Sequence, residues 1–323
     1  MRTSSLFTPP PDMSDAMRRS RRHMLARTGL AWLIMMQVMM LAFPGYLRHG
    51  ARAADAQRSL EQAIVLMNWL SLVLCVPLVL YCAWPVWRGA WRSLSRGRIG
   101  MDVPVALGIL AAFIPSVSAT WRDAGEVYFD SVSMFVAFLL TARFLELCAR
   151  QAVDEHPAAD AALLRLADRL AFWFVCIQIL LAAAVGWFWW QTWPDQAVAV
   201  MVALLVMSCP CALSMSVPAA LAARRAAVLR DRAGQPDGRR ADARVDAGPS
   251  PLADRATRRI ARQNLLGSLV WHVLMTPLAA FGWVQPWLAA ITMLVSSLAV
   301  AANAWRLTRV AGPEAGAMAA EPA

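Results

Sequence analysis

Eight apolar stretches, near residues 29 to 47, 63 to 84, 101 to 121, 127 to 145, 169 to 193, 197 to 222, 264 to 284 and 286 to 305, constrain this 323-residue chain more than any other feature. Each matches the about 20 helical residues that cross roughly 30 Å of hydrocarbon. A hydrophobic content of 59% and 15 Trp argue for the bilayer and against two soluble domains. The expected fold class is therefore an all-α membrane protein with about eight transmembrane helices.

Charge placement predicts how such a bundle is oriented. All 31 basic side chains are Arg, and 27 of them fall in the N-terminal tail, in 88 to 98, 143 to 169 and 224 to 262, and at Arg306 and Arg309. The alternate loops hold only Arg48, Arg52, Arg58 and Arg122. Positive charge marks the cytoplasmic side, so both termini are expected inside an inner (plasma) membrane, with a net charge of +10 directed at lipid and not at nucleic acid. The N-terminal stretch lacks a small-residue cleavage site after its apolar segment and reads as a cytoplasmic tail with a signal anchor. The predicted organisation is a basic tail (1–28), helices one to four (29–145), a short cytoplasmic loop (146–168), helices five and six (169–222), an Arg-rich linker (223–263), helices seven and eight (264–305) and a cytoplasmic tail (306–323). The linker holds 11 Arg, five Asp and six Gly or Pro breakers, which predicts an irregular, solvated segment with a helix starting at Leu252.

One span contains "SCPCALSMSVP", Ser208 to Pro218. In a regular helix Cys209 and Cys211 point about 200° apart and cannot share a ligand. Pro210 and Pro218 each remove a backbone donor and clash with the preceding turn, which predicts an unwound or kinked helix between them and lets the two thiols converge. Paired soft sulfur in a dry site selects Cu(I), Ag(I) or Zn(II). The competing reading is a proline kink with two small packing cysteines. Cys75, Cys82, Cys148 and Cys176 lie in or beside apolar segments, so no secreted disulfide framework is expected. Met35, Met36, Met39 and Met40 read as copper-handling sulfur or, more simply, as ordinary methionines on a lipid-facing helix, and Gly89, among Trp84, Trp87 and Trp91, as a kink in a platform at the membrane surface or as part of an interfacial aromatic belt.

An ordered series of motifs resembles the copper-transporting branch of the heavy-metal P-type ATPases, in particular the subgroup serving cytochrome oxidase assembly. It runs through "RGAWRSL", "GRIGMDVPVALG", "GEVYFDSVSMFVAFLL", "RLADRLAFWFV", "SCPCALSMSVPAALAA", "RIARQNLLGSL" and "MLVSSLAVAANAWRL". The resemblance implies the membrane domain of such a pump, with Cys209, Cys211, Met293 and Ser297 as metal ligands. It implies Met101, Glu146 and Asp168 on the cytoplasmic uptake side and Asp130 on the release side. Met293 and Ser297 are i, i+4 neighbours on one helix face. Where the family has Tyr-Asn, this chain has Trp271 and His272, and His272 reads as a further ligand or as a packing histidine.

The same family implies catalytic parts that this stretch of sequence does not contain. An Asp-Lys-Thr-Gly-Thr phosphorylation motif and a Gly-Lys-Ser/Thr phosphate loop both need Lys, and there is none. No catalytic residues and no ATP site are therefore expected in this chain, and the actuator, phosphorylation and nucleotide-binding domains are replaced by the loop at 146–168 and the linker at 223–263. The expected function is a Cu(I)-binding pseudoenzyme that handles or conducts copper without hydrolysing ATP. The alternatives are the membrane subunit of a split pump with soluble domains in trans, and an inert structural remnant. A copper chaperone or soluble ATPase domains are the expected partners.

Overall fold

The computed structural model describes residues 14–46, 54–97, 100, 102–123, 125–151, 161–209, 211–234 and 251–310. Every regular element among them is helical: α1 (Asp15–Tyr46), α2 (Ala54–Pro77), α3 (Trp84–Leu94), α4 (Asp102–Arg122), α5 (Phe129–Gln151), α6 (Ala161–Thr192), α7 (Pro194–Met207), α8 (Cys211–Gly234), α9 (Pro251–Ala280) and α10 (Pro286–Val310). Between α2 and α3 the chain widens into a π-type turn over Leu78–Cys82, where the Ala83 N–H reaches back to the Leu78 carbonyl at 3.0 Å. Widened turns of this kind follow from a lost donor nearby, here Pro77 at the end of α2.

Among the described residues seven segments are long and apolar enough to cross a membrane: Asp15–Pro44, Glu61–Cys82, Asp102–Arg122, Phe129–Cys148, Phe172–Thr192, Pro194–Arg224 and Pro286–Leu307. The chain is thus an all-α, multi-pass membrane protein. The eighth expected stretch, 264 to 284, lies on α9, which is 30 residues long but interrupts its apolar face with Asn264, Ser268, His272 and Thr276. That four-residue spacing puts the polar groups in one stripe. Asn264, Ser268 and His272 are buried, so the stripe faces the bundle and not lipid.

Burial separates the centre from the periphery. The apolar window of the α7–α8 crossing is 76% buried and that of α5 is 67% buried, against 28% for α1, 28% for α2 and 22% for α6. Around this centre α8 packs on α9 and α10, α4 on α7, and α1 on α5 and α2. The outer helices expose Leu33, Met36, Met40, Phe43, Val73, Leu80, Ile177 and Leu180, the surface that lipid covers. Met35, by contrast, is buried, so the Met cluster of α1 is split between core and lipid face. Exposed Trp121, Trp187, Trp190, Trp193 and Trp283 gather at the α4, α6 and α9 ends that share one side of the bundle, as an aromatic belt requires.

α3 is too short to span, at 11 residues, and buries only Val86 and Ala90. It leaves Trp84, Arg88, Trp91 and Arg92 exposed, which is the pattern of a helix lying in the membrane surface. At the opposite end, α9 and α10 are joined through Gly282, whose φ of 77° favours glycine. Trp189 covers that turn and donates from its indole Nε1 to the Ala280 carbonyl at 3.0 Å. α8 continues as helix to Gly234 and α9 is already helical at Pro251, so both ends of the Arg-rich linker are helical. The run "AARRAAVLRDRA" consists almost wholly of strong helix formers, which explains the extension.

Candidate metal centre

The break expected around the Cys-Pro-Cys motif is present but narrower than the two prolines predict. α7 ends at Met207 in a tightened turn, with the Ser208 N–H donating to Leu205 O at 3.2 Å and the Cys209 N–H to Val206 O at 3.3 Å. α8 restarts at Cys211 and runs unbroken through Pro218. Helices tolerate an interior proline when neighbours cover the freed carbonyl. Here residues 212 to 223 are buried throughout. Pro210 itself lies outside the described residues.

The break brings together side chains that a continuous helix would hold on opposite faces. Cys209 and Cys211 are joined as a disulfide, with their Cα atoms 5.3 Å apart. Both cysteines border a small cavity of about 20 Å³, lined also by Phe135, Phe138, Leu139 and Ala142 of α5 and by Ala290, Met293, Leu294 and Ser297 of α10. All four expected ligands therefore meet in one place, although they come from two regions 82 residues or more apart in sequence. Cys209, Met293 and Ser297 are buried, at 3%, 6% and 1% exposure. Ser297 donates its hydroxyl proton to the Met293 carbonyl at 3.1 Å, which leaves its oxygen lone pairs to face the cavity. The neighbouring turn of α10 is tied to α7 by Thr292, whose Oγ1 contacts Met207 Sδ at 3.7 Å.

The donor set is distinctive. No group of three or more His, Cys, Asp or Glu side chains capable of holding a metal occurs among the described residues. Two sulfurs of cysteine, a thioether and a hydroxyl in an apolar cavity suit a soft ion of low coordination number, while a structural zinc site needs four strong ligands. A cavity of this size admits one small sphere and nothing larger.

The remaining candidates distribute along α5 and around it. Asp130 sits in the first turn of α5, nine-tenths buried, with the Ser131 N–H donating to its Oδ1 at 2.6 Å. Glu146 lies half-buried near the other end of the same helix. The cavity residues Phe135 to Ala142 fall between them, so the two acidic candidates flank the sulfur site along one rod. Their separation is about 24 Å at 1.5 Å per residue. Asp168 lies on α6, where its side chain is outside the described residues, and Met101 lies outside them altogether.

Beside Met101 the structure reveals an ionic contact that the sequence did not. Asp102, at the start of α4, pairs with Arg143 of α5, one turn before Glu146. The carboxylate occupies the space over Gly89 of α3, where a Cβ would overlap it. An Asp in the first turn of a helix ahead of a proline was the available signal, but its partner is 41 residues away. The Asp102–Arg143 pair thereby joins α4 to α5, with its carboxylate seated against α3.

His272 is placed elsewhere. It is 1% exposed, its ring lies 4.5 Å from that of Phe174 on α6, and it does not line the sulfur cavity. Neither ring nitrogen has a hydrogen-bond partner among the described residues, and the same holds for Trp271 Nε1 and Gln178 Oε1. One turn along, Gln178 Nε2 donates to Thr276 Oγ1 at 2.7 Å.

The fold and site define a multi-pass helical membrane protein whose most buried crossing is broken at a cysteine pair. No protein-family profile matches the chain. It is 35% identical to the nitrogen fixation protein FixI of Bradyrhizobium diazoefficiens over 125 residues, covering 39% of this chain and 16% of that protein. It is 31% identical to a copper-exporting P-type ATPase of Legionella pneumophila, covering 32% and 15%, and 34% identical to a silver exporting P-type ATPase of Salmonella typhimurium, covering 32% and 14%. The matched stretches are similar to copper- and silver-exporting P-type ATPases, in line with the resemblance that the ordered motifs carry. The matches span less than a fifth of the length of each of these relatives.

Proposed function

We propose that this chain binds Cu(I) at Cys209 and Cys211 in their reduced form, with Met293 and Ser297 completing the site, and handles or conducts the ion without hydrolysing ATP itself. The observation that carries this reading is one cavity that gathers those four residues from the α7–α8 break, the start of α8 and α10. The donor set supports a soft monovalent cation, and relatives named for copper and silver export support the same choice. Copper is favoured over zinc because a thioether and a hydroxyl are weak ligands for Zn(II), which takes four strong ones, while Cu(I) is held by two or three soft sulfurs. On this reading Asp130 and Glu146, flanking the cavity along α5, mark the release and uptake ends, and both termini are cytoplasmic in an inner membrane.

ATP has no chemical route into the ion path within this chain, because a lysine-containing phosphorylation motif cannot be written in a sequence without lysine. A second reading is favoured by one observation. α8 and α9 continue as helices on both sides of the 235–250 segment. Such helical stalks suit the membrane subunit of a split pump whose soluble domains dock in trans.

The test is a Cu(I) titration of the purified, reduced chain against a chromophoric Cu(I) chelator, paired with flux into liposomes without nucleotide. One Cu(I) per chain, lost in the double variant Cys209→Ser with Cys211→Ser, is the expected result. Equal binding by the double variant overturns the site. Copper-stimulated ATP hydrolysis by the chain alone overturns the absence of an engine.

A further inference from the structure

At the end of the bundle where α10 leaves the apolar region, a cleft of about 400 Å³ opens between α9 and α10. It is lined by Arg255, Arg259 and Gln263, which follow one another at four-residue spacing on α9, together with Ile260, and by Arg306 and Leu307 of α10. Three guanidinium groups therefore border one concave space, and no carboxylate is among its described lining residues. We propose that this cleft is a phosphate site that holds the phosphodiester headgroup of an anionic phospholipid.

The cleft is a built feature and not a chance gathering of surface arginines. Beneath it, Asn264 Nδ2 donates to Val300 O at 3.3 Å, Asn303 Nδ2 donates to Asn264 Oδ1 at 2.8 Å, and Arg306 Nη1 donates to Asn303 Oδ1 at 3.2 Å. This chain of hydrogen bonds ties the two helices together and orients Arg306 in the wall. Ile260, Ala261, Ala304 and Leu307 form a buried cluster with α8 behind it, so the wall is anchored to the core of the protein.

Guanidinium forks match phosphate oxygens in pairs, and arginine remains charged at all relevant pH. Two observations choose a lipid over a soluble phosphate. The span Pro286–Leu307 ends on the cleft's own residue, so the arginines sit where hydrocarbon gives way to headgroups. The wall is also part apolar, with Ile260 and Leu307 available to glycerol and the first acyl carbons, and the volume exceeds what one inorganic phosphate fills. Basic pockets between helices at the membrane surface bind anionic headgroups in this manner. The inference uses neither the cysteines nor copper, and it stands or falls apart from the proposed function.

The test is native mass spectrometry of the delipidated full chain in neutral detergent, titrated with phosphatidylglycerol, phosphatidylcholine or inorganic phosphate. Saturable binding of phosphatidylglycerol in preference to phosphatidylcholine is expected. Arg255→Gln, Arg259→Gln and Arg306→Gln together should weaken it by roughly a hundredfold, since each arginine near the surface contributes about a fivefold gain. Arg88→Gln, Arg92→Gln and Arg96→Gln, three exposed arginines on and just after α3, should leave it unchanged. If the triple cleft variant loses helical content, Arg306→Gln alone, with a loss of roughly fivefold, carries the test. Equal losses from the two triple variants, or no preference for phosphatidylglycerol, overturn the site. Displacement of the lipid by inorganic phosphate at equal concentration overturns the lipid as its source.

Discussion

Two of the places where this bundle puts polar side chains at depth are solved in opposite ways. At Cys209 and Cys211 the helix is interrupted, the side chains converge, and a small space remains between α5, the α7–α8 break and α10. At His272 the helix is continuous, the ring is pressed against Phe174, and both nitrogens lack partners among the described residues. An unsatisfied buried polar group costs about 1 to 3 kcal/mol. The first arrangement has soft donors and room, which is what an ion needs. The second has neither a matching donor set nor a place in the same cavity, and its polar groups are a burden carried by the α6–α9 interface.

The largest expected effect lies at the first region. Replacing both cysteines by serine should abolish Cu(I) binding, and the unreduced parent, with Cys209 and Cys211 joined, should fail to bind until treated with a thiol-free reductant. Binding by the oxidised parent would remove the thiolate pair from the site. Next, Met293→Leu keeps volume and apolarity but deletes the thioether, so Cu(I) affinity should fall by tenfold to a hundredfold. Thermal stability should change by less than about 1.5 kcal/mol. A matched loss of stability would mark Met293 as packing alone.

Asp102→Ala should destabilise the protein by roughly 2 kcal/mol, read as detergent-solubilised thermal unfolding, because it leaves Arg143 half-buried without its carboxylate. Loss in Arg143→Ala should be similar and the double variant should not add to it. Additive losses would show that the two side chains do not act as a pair. At the second region His272→Leu should raise stability by about 1 kcal/mol by removing two unpartnered nitrogens, with Cu(I) affinity unchanged. A fall in affinity would join the two regions into one site. The smallest effect belongs to Thr276→Val, which deletes the Gln178 hydrogen bond and should cost about 0.6 kcal/mol, the average for such bonds between membrane helices.

Much of this could be read from residue order alone. Spans are long local patterns set by the bilayer, so seven of the eight expected stretches recur as apolar crossings. The convergence of Cys209 and Cys211 was legible because proline restricts the backbone locally, whereas Met293 and Ser297 were named through the family resemblance, with which their one-turn spacing agrees. What escaped depends on partners far along the chain. The Asp102–Arg143 contact joins α4 to α5, and nothing in "GMDVPV" names its partner. The unbroken helix through Pro218 depends on the surrounding buried residues, which the motif itself does not specify. The orientation of His272 toward α6 follows from how α9 is rotated in the bundle, since periodicity marks a polar stripe but not the helix it faces.

The interruption between Met207 and Cys211 has an electrical consequence. It turns one membrane crossing into two half-helices that meet end to end at the sulfur cavity. Aligned peptide dipoles leave partial negative charge at the C-terminus of α7 and partial positive charge at the N-terminus of α8. The first would attract a cation entering the cavity, and the second would steady negative charge on the reduced sulfur of Cys211, the first residue of α8. An uninterrupted helix would carry its two poles to the membrane surfaces and leave the centre electrically silent. By breaking, this one brings both poles to the point where an ion would sit.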